Sequence, residues 1–151
     1  GKTVARSKEM DDIRIIEVKQ SVFANNDARA QLLRQELKEN KTFGGGAGLS
    51  SVADIRTDMF RGIMEGVVGK DNYLSDEEDL FALSIKCEKE ETKPRLFMAC
   101  GVDDFLYADN VKLREHLQKL DYDYTYEESA GAHTWEYWDD KIQRVLAWAF
   151  A

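Results

Sequence analysis

No apolar run in this sequence approaches the length needed to span a bilayer, and its first residues do not resemble a signal peptide. A membrane partner is therefore not expected, and the location expected is cytoplasmic. A basic excess is lacking too: 21 Lys+Arg stand against 29 Asp+Glu, a formal charge of −8 spread without long runs of one sign. Phosphate contact needs a basic face, so nucleic acid is not an expected partner. Cysteine is scarce. Cys87 and Cys100 are neither closely spaced nor paired with histidines, which points to free thiols in a reducing compartment rather than a disulfide or a metal site. No metal and no cofactor is expected.

What is present is the composition of a folded domain. Hydrophobic residues make up 43% of the chain and aromatic residues 11%, too many for a disordered polymer. At 151 residues the chain is long enough for one domain with a real core. Residues 1–12, GKTVARSKEMDD, are polar and aperiodic and read as a flexible tail, leaving 13–151 as a single domain. The opening Gly1-Lys2-Thr3 has the letters that end a phosphate-binding loop, but no upstream glycines to cradle a phosphate.

Strand and helix patterns alternate from there. IRIIEV (13–18) is apolar and β-branched, as a strand buried on both faces would be. DARAQLLRQELKEN follows with Ala30, Leu33 and Leu37 at helical spacing and Asn26 or Asp27 as N-cap. TFGGGAGLSS (42–51) reads as a small-residue strand. MFRGIMEGVV and DEEDLFALSIKCEKE read as helices, the second capped by Ser75 with acids in its first turn. After Pro94 come a buried strand, RLFMACG (95–101), a helix carrying Val111, Leu113, Leu117 and Leu120, and a strand, DYTYEES (123–129). The last helix starts near Trp135 and sets Trp138, Ile142, Val145 and Ala149 on one face. The fold class expected is α/β: a small parallel sheet of about four strands flanked by helices, with right-handed crossovers.

Polar groups in such sheets gather their chemistry at the carboxyl ends of the strands. Two loops there carry candidates: Asp103 or Asp104 in GVDDFLYADN, and His133 in SAGAHTWEYW. An acid on one strand and a histidine on the next is the arrangement by which a carboxylate orients an imidazole in acyl transfer. Trp135, Tyr137, Trp138 and Trp148 fall at helical spacing and are read as packing residues rather than a stacking surface. The acids of SDEED (75–79) are read as a solvated helix start, and His116 as exposed.

The segment from KPRLFMACGVDDFLYADN to GAHTWEYWDDKIQRVLAWAF, with GLSSVADIRTDMF and DNYLSDEEDLFAL upstream, resembles the carboxyl-terminal part of the esterase D and tributyrin esterase family of α/β-hydrolases. The resemblance covers residues 43–150 and rests on CG-x-x-D-F-L-Y and G-x-H-x-W-x-x-W. It implies a partial α/β-hydrolase fold in which Asp104 and His133 are the acid and base of a Ser-His-Asp triad. It also implies a short-chain ester as substrate.

That family places its serine on a G-x-S-x-G elbow, and the pattern occurs nowhere in these residues. Counting back by the family's spacing puts the nucleophile position near Asn26, where an amide cannot act as an alkoxide. Ser21 is the nearest hydroxyl, in KQSVF, without the small neighbours a sharp elbow needs. Residues 13–43 instead resemble the amino-terminal segment of the hydrogenase nickel-incorporation GTPase, and they leave that pattern before its phosphate loop would begin. GTP hydrolysis and nickel binding are thus not expected. The chain reads as chimeric or truncated: serine carboxylesterase-like by resemblance, with vestigial acid and base, inactive or very weak alone. Whether it is an enzyme is left open at this point. The alternative is a non-enzymatic scaffold or interaction module that forms homo-oligomers through an exposed sheet edge.

Overall fold

The computed structural model describes residues 37–38, 41, 44–71, 75–91 and 93–151. The expected strand at 13–18, the start of the expected helix after it, the tail and Ser21 lie outside the described residues. Among the described residues, after the helical residues 37–38, three strands and four helices follow in the order β1 (Gly45–Leu49), α1 (Asp58–Val68), α2 (Leu80–Lys89), β2 (Arg95–Gly101), α3 (Tyr107–Lys119), β3 (Tyr124–Ser129) and α4 (Trp135–Ala149). The strands form one parallel sheet in the order β1-β2-β3, with Gly46 beside Leu96 and Leu96 beside Tyr124. This is the α/β class expected, with three strands among the described residues.

The central strand explains the layering. All of β2 except Arg95 is buried, and its side chains alternate between two helix layers. Leu96 and Met98 point into a cluster with Leu37, Leu80, Leu83, Cys87, Leu113, Leu117 and Tyr122, which joins the sheet to α2 and α3. Phe97 faces the other way and meets Trp148 of α4 at a centroid distance of 5.8 Å.

Two readings of helix ends and faces change. Helix α2 begins at Leu80, not at Ser75, because residues 75–78 close a turn of their own: Ser75 Oγ accepts from the Glu77 N–H and its carbonyl from the Glu78 N–H. Asp79 is the N-cap, its carboxylate accepting from the Phe81 N–H at 3.0 Å. The acids before it are not simply solvated. Arg56 pairs with Asp76 and Asp79, both at 3.0 Å, and Lys38 pairs with Glu78.

Helix α4 buries Tyr137 and Lys141, while Ile142 is 42% exposed, so the face chosen by counting apolar residues is rotated from the real one. The reason is that both buried side chains have polar ends. Lys141 lays its stem inward and brings its ammonium to Glu127 at 3.6 Å and over the Tyr137 ring. On α3 the inward face includes Asn110, which is fully buried and donates to the carbonyls of Ser51 and Leu106. His116 is half-buried rather than exposed: it packs edge-on against Phe81, with Nε2 2.9 Å from Ser84 Oγ.

At the carboxyl end of β2 the loop after β3 folds back over the sheet. The Gly131 carbonyl accepts from the Asp103 N–H, and the Ser129 carbonyl from the Val102 N–H. A Cβ on Gly101 would lie 2.1 Å from the Gly131 oxygen, so only glycine allows the approach. Gly131 has φ 146°, and a Cβ there would meet the Tyr137 ring at 2.4 Å. Gly101→Ala should therefore destabilise the fold by about 1–3 kcal/mol, the usual cost of overpacking, as read by urea unfolding. An unchanged midpoint would show that the two backbones are not in contact.

Candidate active site

The glycine contact brings the two candidate loops together. Asp104 lies just past β2 and ends in the turn that starts α3: its N–H donates to the Gly101 carbonyl, and its own carbonyl accepts from the Tyr107 N–H. Its carboxylate is fully buried and accepts from the Leu106 N–H at 2.9 Å. The remaining contact is His133, whose Nδ1 lies 3.0 Å from Oδ2 and 3.2 Å from Oδ1. Asp103 is exposed, so the structure selects Asp104 of the two acids. The sequence separation is 29 residues, bridged by one helix and one parallel strand.

This contact sets the state of the ring. A carboxylate only accepts, so Nδ1 carries the proton, and the lone pair of the neutral imidazole is on Nε2. A ring held in that tautomer is equipped to take a proton at Nε2 while the carboxylate steadies the imidazolium that forms. The His133 side chain is 17% exposed, which leaves it partly open to solvent. Phe105 lies on it at 4.7 Å, and Trp138 meets it edge-on at 4.8 Å.

Three residues of this neighbourhood were not singled out from the sequence for these contacts. Phe105 is 57% exposed, and Val102 and Trp135, in the same two loops or just beyond them, are 44% and 53% exposed. Ser50, at the end of β1, accepts from Trp138 Nε1 at 3.0 Å. Ser50 was read as part of the strand 42–51, and the signal for Trp138 was its spacing from His133. Neither says what the side chain touches.

Neither hydroxyl near a histidine or thiol among these groups is set up for attack. Ser50 is 1% exposed. Ser84 is fully buried, and its hydroxyl donates to the Phe81 carbonyl, so its contact with His116 ties α2 to α3. Cys100 is fully buried, and that burial, with the Asp104 charge beside it, pushes the thiol up to about 12 against the opposing hydrogen bond from Ser50. The thiolate is the reactive form, so Cys100 should resist a thiol reagent at pH 8 in the folded protein and react promptly in denaturant. Rapid labelling of Cys100 in the native protein would contradict this burial.

No family model matches the chain. It is similar to an acetyl esterase of Caldicellulosiruptor saccharolyticus, with 35% identity over 129 residues, covering 77% of this chain and 48% of that protein. Among solved structures it is similar to the fluorophosphonate-binding serine hydrolase F of Staphylococcus aureus, with TM-score 0.71, 25% identity, and coverage of 82% of this chain and 51% of that one. The S-formylglutathione hydrolase of Staphylococcus aureus aligns with TM-score 0.69 and 26% identity over the same shares. The chain thus spans about half the length of the relatives it matches. Its three-stranded parallel sheet with flanking helices is a partial α/β-hydrolase fold with esterase relatives.

Proposed function

We propose that these residues are an esterase-family domain, carboxylic ester hydrolase-like, that holds the acid and base of a catalytic triad without its nucleophile. The observation that carries this reading is the contact of His133 Nδ1 with the buried Asp104 carboxylate, at 3.0 Å. It is supported by the place of both residues beyond the carboxyl ends of adjacent parallel strands, where α/β sheets bind their ligands. Similarity to an acetyl esterase supports the reaction class.

In this reading Asp104 holds the imidazole in one tautomer, so that Nε2 is placed to take a proton from a hydroxyl nucleophile supplied to the site and to return it to the leaving alcohol. The exposed Phe105, Val102 and Trp135 offer apolar surface suited to a short-chain ester. The serine is missing because no G-x-S-x-G occurs in the sequence. The scaffold alternative has no comparable observation behind it.

Short-chain nitrophenyl ester hydrolysis and fluorophosphonate labelling test the proposal together. The expected outcome is a rate at the buffer blank, the same in His133→Ala, and no labelled serine. Loss of a triad nucleophile typically removes several orders of magnitude of rate, about 10⁶-fold where measured, so the contrast is large. Hydrolysis above the blank that His133→Ala abolishes, with label on Ser21, would show that the nucleophile is within these residues after all.

A further inference from the structure

The Asp104 contact fixes one edge of the His133 ring, and packing against the ring adds to that hold. Its faces and far edge need packing. Phe105 supplies one contact, yet it is 57% exposed and sits on the same loop as Asp104. Trp138 supplies the other, with its ring perpendicular to the imidazole at 4.8 Å. What holds Trp138 comes from a different part of the chain. Its Nε1–H donates to Ser50 Oγ at 3.0 Å, across 88 residues of sequence.

Ser50 is itself unusual. It sits at φ 50°, in the left-handed region, where a residue with a Cβ is held at a cost of about 1–2 kcal/mol. Its N–H continues the ladder by donating to the Ala99 carbonyl at 2.8 Å, so the backbone is pinned while the hydroxyl is presented to the indole. At 1% exposure that hydroxyl is shielded from water, and the indole hydrogen bond is worth correspondingly more. Trp138 also stacks edge-on with Trp135 at 5.4 Å.

We propose that Trp138 is a positioning residue for His133 and that the buried Ser50 hydroxyl is its anchor, so that the end of β1 sets the orientation of the base presented after β3. The inference rests on reading His133 as the base of the site. It explains why a polar residue occupies a strained, buried position where an apolar one would avoid hydrogen-bond demands. It also makes the base depend on all three strands: Ser50 follows β1, Asp104 follows β2, and His133 follows β3. Neither Ser50 nor Trp138 takes or gives a proton in the proposed reaction; both act through the imidazole.

Proton NMR of the imidazole groups tests this without any need for turnover, and His116 serves as internal reference because it packs between α2 and α3. In the unsubstituted protein the His133 Nδ1–H is expected as a protected resonance. Trp138→Phe and Ser50→Ala cut the same hydrogen bond from opposite ends while leaving a ring or a small side chain in place. Each should speed exchange of the His133 proton by about fivefold, the equivalent of ~1 kcal/mol for one hydrogen bond, and leave His116 unchanged. The double variant should exceed neither single one, since both remove one interaction. His133 exchange at the original rate in both variants would overturn the inference while leaving the functional reading intact. Equal changes at His133 and His116 would overturn it as well, because the role would then be general to the fold. Absence of a protected His133 proton in the unsubstituted protein would remove the acid–base pair and the functional reading with it.

Discussion

At the carboxyl end of β2, Gly101 lies so near the Gly131 carbonyl that a Cβ would fall 2.1 Å from the oxygen, and the pairing of Asp104 with His133 depends on that approach. Two loops from adjacent parallel strands meet over the sheet edge with backbone hydrogen bonds between them. Because neither glycine carries a side chain, the loop after β3 can fold down until its histidine reaches a carboxylate that is otherwise sealed from water. Moving the backbones apart by even one methyl group would leave a buried acid without its main side-chain partner, an expensive arrangement.

The layers beneath serve this edge. β2 is buried on both faces, so its end is a firm platform, and the helices on either side contribute from both directions. α3 begins in the turn that holds Asp104, while α4 begins just beyond His133 and carries Trp138 back toward Ser50. Packing and the candidate site therefore share residues: Tyr137, in van der Waals reach of Gly131, is part of the core and also shapes the loop that presents His133.

Much of this was legible in the residues. The strand RLFMACG was read with its observed bounds because a continuous apolar run ending in glycine has one sensible place, the middle of a parallel sheet. Asp104 and His133 were legible because strand ends in an α/β sheet are where polar loops do chemistry, and a resemblance singled out the pair. Less visible were groups that are apolar along most of their length and polar at the tip. Lys141 misdirected the reading of the α4 face, since a hydrophobicity count does not see a lysine stem as core, whereas Tyr137 was read as a packing residue and is buried. The Asp79 cap was hidden behind two other candidate capping residues in SDEED, Ser75 and Asp76. Ser50 was hidden altogether, because its partner Trp138 lies 88 residues away and no local pattern encodes that distance.

An acid and base in working geometry but with no serine to serve is a claim that can be tested by supplying the serine. A fusion that places a strand, a G-x-S-x-G elbow and a helix ahead of residues 44–151 provides that elbow. The account predicts that this fusion hydrolyses a short-chain nitrophenyl ester, and that His133→Ala or Asp104→Asn lowers the rate by roughly 10³- to 10⁴-fold or more. A folded fusion that hydrolyses no ester, or one whose rate is indifferent to both substitutions, would contradict it.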